Sequence, residues 1–250
     1  MIAAIASREL KSLFLSPLAW SILAVVQFIL AYLFLAQVDT YLMLQPRLAG
    51  IEGAPGVTDI VIAPLLADAA VILLLVTPLV TMRVLSEERR SRTLNLLFSA
   101  PVSMTEIVLG KYLGIVMFFG ILLGLLALMP LSLLAGSTLD LGKFGAGLLG
   151  LALLTAAFSA IGLFMSALTE QPTVAAISTF GLLLLLWIID WAGNSQGEVG
   201  GVLTYLSMRN HYDALLKGLF DSTDVTYYAL VVMTFIGLSL RRLDSDRLSH

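Results

Sequence analysis

The groups able to do chemistry in this 250-residue chain are few, and most lie in loops. His211 and Asp213 bring an imidazole and a carboxylate within two residues of each other, in a stretch that also carries Asp221 and Asp224. Such a set could move a proton or hold a metal. A lone histidine at an interface more often serves as a hydrogen-bonding residue, donating from one ring nitrogen and accepting at the other. The only other histidine, His250, is remote in sequence. The chain has no cysteine, which excludes disulfides, thiolate metal sites and cysteine nucleophiles. The phosphate-cradling pattern G-x-x-x-x-G-K-[ST] is also absent. Gly110-Lys111 and Gly142-Lys143 lack the upstream glycine and are followed by Tyr and Phe. Neither G-x-S-x-G nor H-E-x-x-H occurs. The chain is therefore expected to bind no cofactor itself and to hydrolyse no nucleotide alone.

The densest charge lies at residues 83–101, Arg83-Val-Leu-Ser-Glu-Glu-Arg-Arg-Ser-Arg-Thr-Leu-Asn-Leu-Leu-Phe-Ser-Ala-Pro101. Ser86 suits an N-cap, with Glu87 and Glu88 in the first turn, where the helix dipole favours anions. Glu88 and Arg92 stand four apart and can pair along one face. Leu94, Leu97 and Phe98 form an apolar stripe at i, i+3, i+4. Pro101 ends this helix, and Ser103-Met-Thr-Glu106 has the spacing of a capping box, so another helix starts there. The segment could be an ordinary solvated loop. An apolar stripe outside the membrane, however, needs something to cover it, and a docking helix over 86–100 with Arg89 and Arg92 beside the stripe supplies that reason.

These loops must be positioned by helices in lipid. Apolar residues make up 59% of the chain and charged residues only 12%, with mean hydropathy +0.97. Soluble domains carry about twice that charge, and a chain of this size cannot hide so much apolar surface from water. Six runs are long enough to cross about 30 Å of hydrocarbon: 17–37, 61–82, 112–134, 144–168, 174–191 and 225–240. They are rich in Leu, Ala and Gly and lack strand-like alternation, so the expected fold is an all-α integral membrane protein, one domain over 1–250. Basic residues set its orientation. Arg8, Lys11, Arg83, Arg89, Arg90, Arg92, Lys111, Arg241, Arg242 and Arg247 would face one side, and Arg47, Lys143, Arg209 and Lys217 the other. The positive-inside rule puts both termini in the cytoplasm, with Trp187 and Trp191 in the outer aromatic belt. A net charge of −3 speaks against a nucleic-acid partner.

Residues 1–16 mix Ile2, Ile5, Leu10, Leu13 and Phe14 with Ser7, Arg8, Lys11 and Ser12 at helical spacing, which reads as an amphipathic interfacial helix. Glu9 falls on its apolar side, where it would either snorkel or rest on a loop, or touch a partner. The inner turn 168–172 exposes Glu170 and Gln171 and follows Gly162-x-x-x-Ser166, a small-residue pair for close helix packing. Residues 38–60 read as an irregular outer loop. In the outer segment 192–224, Tyr205, Tyr212, Leu215, Leu216, Leu219 and Phe220 recur at helical spacing, which predicts a shallow re-entrant or interfacial helix over 207–220. Arg209, Asp213 and Lys217 can pair on its other face. Asp68 is either an intramembrane carboxylate or an interfacial one, and Pro64 and Pro78 should kink or soften the second span.

Taken together, Pro78-Leu-Val-Thr-Met-Arg83, Glu87-Glu-Arg, Thr93, Leu96-Leu97, Ala100-Pro101-Val102 and Gly110-Lys111 resemble the permease subunits of type-2 ATP-binding-cassette (ABC) transporters, nearest their gliding-motility-associated branch. Arg8-Glu9-Leu10 with Phe14 and Ser16-Pro17 is similar to the opening of that branch, and Leu168-Thr-Glu-Gln171 to its inner turn. Tyr205-Leu-Ser207, His211-Tyr212, Lys217-Gly218, Asp221-Ser222 and Asp224 are similar to its last outer segment. Arg92 stands where that branch usually has glycine, and Asn95 where it has an acidic residue. The resemblance implies six spans with an amphipathic N-terminal helix, outer re-entrant helices and 86–100 as coupling helix, in a bacterial inner membrane. It also implies a cytoplasmic ATPase subunit that binds ATP and Mg, a second permease protomer (the same chain or a related one), and often an auxiliary membrane protein with an outer domain. The expected ATPase interface comprises Glu9, Glu87, Glu88, Arg89, Arg92, Leu94, Leu97, Phe98, Glu170 and Gln171.

Three functions compete at this point. A permease would reorient its spans when the ATPase pair closes. A membrane anchor would transmit force to an outer machine and move no solute. An intramembrane enzyme is the poorest, since no catalytic pair lies at membrane depth. Among the spans Gln27, Thr155, Ser159 and Ser178 are the few polar candidates. That dryness favours a lipidic or lipid-linked substrate, or none.

Overall fold

The computed structural model describes residues 1–48, 55–91, 103–193 and 198–248, and every regular element among them is helical. Ten α-helices are used below: α1 Ile2–Leu15, α2 Pro17–Leu48, α3 Ala63–Thr81, α4 Ser86–Arg90, α5 Met104–Ser132, α6 Leu141–Leu168, α7 Pro172–Gly193, α8 Glu198–Leu206, α9 Met208–Leu216 and α10 Ser222–Leu248. Six stretches are long and apolar enough to cross a membrane: Pro17–Arg47, Thr58–Arg90, Met104–Ala135, Leu141–Leu168, Pro172–Asp190 and Ser222–Asp246. The chain is an all-α, multi-pass membrane protein.

Helix starts follow local chemistry. Ser16 Oγ accepts from Leu18 N–H, and Pro17 opens α2 where a missing donor is harmless. The Ser103–Glu106 capping box forms in both directions, with Glu106 N–H to Ser103 Oγ at 3.2 Å and Ser103 N–H to Glu106 Oε2 at 3.1 Å. Asp140 caps α6 through the amides of Gly142 and Lys143. Pro64 falls in the first turn of α3, just after a single π-helical turn over Thr58–Ile62.

Several expectations need correction. The loop expected over 38–60 is helical as far as Leu48, because no breaker precedes Pro46 and α2 simply runs on past the span. Ser86 does not cap α4. Leu85 is the N-cap, and the buried Ser86 hydroxyl donates back to the Met82 carbonyl. The helix expected over 207–220 divides differently. Ser207 is extended and caps α9 through Asn210 N–H, and Gly218, with φ of 80°, stops it at Leu216. That left-handed turn is open to glycine at no steric cost. Leu219 and Phe220 therefore fall beyond the helix and stay exposed. Arg209 reaches Asp213 at 3.7 Å, whereas no ion pair joins Asp213 to Lys217 among the described residues. Arg92, Leu94, Leu97, Phe98 and Pro101 lie outside the described residues.

The helix α1 packs along the start of α5, and α10 and α3 pack on α6. In lipid, such contacts rest on close packing rather than on escape from water. A Cβ on Gly110 would sit 2.6 Å from Ile5 Cβ, and one on Gly114 2.7 Å from Glu9 Cβ. Two glycines one turn apart thus let α1 lie flush on α5. Phe14 continues the contact against Phe118, with ring centres 5.7 Å apart. The expected interfacial helix is therefore fastened to the bundle. Deeper, Gln27 Nε2 donates to the Leu122 carbonyl across α2 and α5, and Gln37 Nε2 donates to Asp68 Oδ2 across α2 and α3. Both ends of the described chain lie on the side that carries α4.

Candidate functional site on the α4 side

At the end of α3 the chain turns sharply into α4, and side chains from three other helices hold the turn. Ser166 on α6 accepts from the amides of Leu85 and Ser86 at 3.0 and 3.1 Å and donates to the Met82 carbonyl. One hydroxyl thus satisfies three backbone groups that a buried turn would otherwise strand. Gly162, one turn earlier, brings α6 against Thr81; its Cβ would stand 2.7 Å from Thr81 Cβ. Close packing, expected for this pair, is only part of the role of Ser166.

Lys111, on α5, is the centre of the site. It is 4% exposed, and its ammonium donates to Glu9 Oε2 at 3.2 Å, Val84 O at 2.9 Å and Glu88 Oε1 at 2.8 Å. An ammonium has three donors, and all three are used. A buried charge is tolerable only when paired and hydrogen-bonded. Here two carboxylates and a carbonyl from α1, α4 and the turn before α4 meet that need. Glu9, which seemed misplaced on the apolar side of α1, faces inward to reach Lys111. Arg89 of α4 forms an ion pair with Asp246 on α10, and Asp246 also lies 3.7 Å from the Arg242 guanidinium one turn back. The short helix α4 is therefore bound to α5, α6 and α10, and through Lys111 to α1.

Beside this hub lies a groove of about 580 Å³ lined by Met82, Arg83, Glu87, Arg90, Glu170, Gln171, Pro172 and Thr173. The structure thus brings Glu87, Glu170 and Gln171 together on one face, while Glu9, Glu88 and Arg89 turn into the protein's own ion pairs. Lys111, Ser166 and Asp246 escaped the sequence reading as parts of this assembly. The signal for Lys111 was available, since a cation this close to a span requires a carboxylate partner.

The residues on the opposite side are assembled more tightly than expected. His211 is buried, not at a wet boundary. Its Nδ1 lies 2.6 Å from Asp224 Oδ1 and its Nε2 2.8 Å from the Tyr205 carbonyl. A carbonyl only accepts, so Nε2 carries hydrogen, and a second proton lies between Nδ1 and the carboxylate. Tyr227 stacks on the imidazole with centres 4.0 Å apart, and Tyr205 meets it edge-on. Tyr212, Tyr227 and Tyr228 donate to the carbonyls of Leu66, Leu206 and Met208. Burial pushes the Tyr212 phenol far above its ordinary range, so it stays a donor. Asp221 accepts from Thr223 N–H and Oγ1 at the start of α10, and these bonds hold its carboxyl below the usual range. Burial raises the Asp213 carboxyl, against the pull of Arg209 and Lys217. Asp213 thus stands apart from the His211–Asp224 pair. Among the described residues no three His, Asp or Glu side chains gather as a metal site would require.

No curated protein matches the chain. The sequence pattern of the ABC-2 family transporter proteins matches residues 52–190, more than half of its length. That match spans the turn into α4, Lys111, Ser166 and the Glu170–Gln171 turn. With six apolar helices around that hub, the chain belongs to the ABC-2 family of transporter proteins, as a membrane-spanning permease subunit.

Proposed function

We propose that the α4 side is cytoplasmic, in a bacterial inner membrane, and that it docks a separate ATPase subunit whose ATP hydrolysis drives the spans. The observation that carries this reading is the bracing of α4. A five-residue helix tied to α5, α6 and α10, and through Lys111 to α1, passes a push on the loop to most of the bundle. The groove lined by Glu87, Arg90, Glu170 and Gln171 supplies a mixed-charge rim for the partner. The apolar stripe Leu94, Leu97 and Phe98, on the same loop, supplies its anchors. Burying each anchor would contribute roughly 1.5–3 kcal/mol, whereas exposed ion pairs add about 0–1 kcal/mol. ATP and Mg would be bound by the ATPase, and a second permease protomer would complete the transporter. We assign the chain, on its motifs, to the gliding-motility-associated branch, where an auxiliary subunit with an outer domain is expected.

A lipidic or lipid-linked substrate fits the spans best. Thr155, Ser159 and Ser178 bond back to their own helices, and Gln27 is used between α2 and α5. That leaves these groups committed rather than lining a wet path. The same dryness favours, as a second reading, a membrane anchor that transmits force and moves no solute.

The test is Phe98→Ala in native membranes. Retention of the ATPase on purification should fall, or hydrolysis should uncouple, while membrane insertion is unchanged. A full complement of ATPase with normal function would refute the docking assignment. Orientation is checked separately, since the native chain has no cysteine. Cysteine at Gly53 or Gln196 should react with an impermeant reagent outside sealed cells, and cysteine at Ser91 should not.

A further inference from the structure

Beneath α1 is a second cavity, of about 320 Å³, enclosed by α1, α2, α3, α4 and α5. Its lining is of two kinds. Leu13, Leu18, Ile22, Leu79 and Phe118 make up the apolar part, the floor, and Arg8, Arg83 and Glu87, all exposed, make up the charged part, the mouth. From Lys111 to Phe118 along α5 is about 10 Å at 1.5 Å per residue, so a bound molecule passes from charge to hydrocarbon within one headgroup length. Leu79, part of the apolar lining, is also exposed on the surface of the bundle. A water-filled floor of this composition would be unfavourable, because an apolar cavity offers water no hydrogen-bond partners.

The mouth identifies the occupant. Lys111 is saturated by Glu9, Glu88 and Val84. Arg8, Arg83 and Glu87 form no ion pair among the described residues. Two guanidiniums complement a phosphodiester, which arginine binds through its fork of N–H donors. The remaining carboxylate complements an ammonium. The cavity holds about ten water volumes at ~30 Å³ each, enough for such a headgroup and a few methylenes.

We propose that this cavity binds a phosphoethanolamine lipid from the leaflet on the α4 side, its phosphodiester at Arg8 and Arg83 and its ammonium at Glu87. The lipid wedges α1 against the end of α3, and a chain that transported nothing would hold it equally. Arg83 and Glu87 also line the groove assigned to the ATPase, but Arg8 lines only this cavity. Arg8 is exposed and can be changed without disturbing the fold.

The full-length protein would be equilibrated with vesicles of equal phosphatidylethanolamine, phosphatidylglycerol and phosphatidylcholine. It would then be re-extracted in mild detergent, and its bound lipid quantified by mass spectrometry. The native protein should retain phosphatidylethanolamine above its vesicle share. Arg8→Ala should lower that retention about tenfold, the loss of one charge-assisted contact, with ATPase retention unchanged. Arg8→Lys should recover part of it. Lys11→Ala removes an equal charge from the same helix outside the cavity and should have no effect. Bound lipid that mirrors the vesicle, enrichment of phosphatidylglycerol instead, full retention in Arg8→Ala, or equal losses in Arg8→Ala and Lys11→Ala would each overturn the proposal.

Discussion

The two ends of the bundle are fastened by different chemistry. On the α4 side the charged ties are Lys111 with Glu9 and Glu88, and Arg89 with Asp246, beside the Ser166 hydroxyl that holds the turn. On the opposite side Lys143 pairs with Asp59 nearer the surface, but the buried ties are phenol hydroxyls on backbone carbonyls, arranged around one His–Asp pair and a stack of rings. The α4 side is also ringed by two cavities, with Arg8, Arg83 and Glu87 outside its ion pairs. Under the proposed function the α4 side is the joint that takes the ATPase's push, and the other end is a cap.

The largest effect is expected of Lys111→Met. It leaves Glu9 and Glu88 facing each other around an emptied centre, and removing one member of a buried charge pair costs about 3–5 kcal/mol. Most of the folded protein should disappear from size-exclusion profiles in detergent. Glu9→Gln with Glu88→Gln in the Lys111→Met background should restore much of it, because no carboxylate is then left alone. Glu88→Ala alone should cost less, since Glu9 remains within 3.2 Å of the ammonium.

The cap should respond by hydrogen-bond count. His211→Leu leaves the buried Asp224 carboxylate without its donor, at about 1–3 kcal/mol or more, and thermal unfolding should show it. His211→Gln keeps an amide donor and should lose less. Equal losses would mean that the shared proton, rather than the bond, matters.

Packing gives a smaller and more local effect. Gly162→Ala forces α6 off Thr81 at the joint, for about 1–3 kcal/mol. Gly237→Ala on α10 meets nothing within 4 Å and should be neutral or stabilising. A melting temperature lowered by both would deny the close approach any special weight.

The smallest effect belongs to Asp213 beside the cap. Its carboxyl is raised in the folded chain, so protonation favours folding. Its contribution is most favourable below the unfolded carboxylate range and is lost as pH rises through the folded value. Asp213→Asn should remove that dependence in a stability–pH profile just above the ordinary carboxylate range, and change little elsewhere.

Much of this architecture was legible from residue order. Span number needs only runs of apolar residues, because every backbone donor in lipid must be satisfied within its own helix. The capping box at Ser103–Glu106 and the Arg209–Asp213 pair are equally local, set by residues three or four apart. The continuation of α2 past residue 38 was missed because sequence marks where lipid ends better than where a helix does.

Long-range partners are a different matter. Nothing near Glu9 in sequence explains a carboxylate on an apolar face; Lys111, over a hundred residues away, does. Ser166 reads as a small packing residue until the turn before α4 arrives against it. His211 reads as a wet hydrogen-bonding residue until Asp224 and Tyr227 close around it. Sequence alone determined the solvent, the spans and the Ser103–Glu106 capping box, because these depend on side-chain transfer to lipid and on hydrogen bonds within a turn. Only the tertiary structure decided which charges are spent inside and which remain for a ligand, because pairing depends on distances between helices that no local spacing encodes.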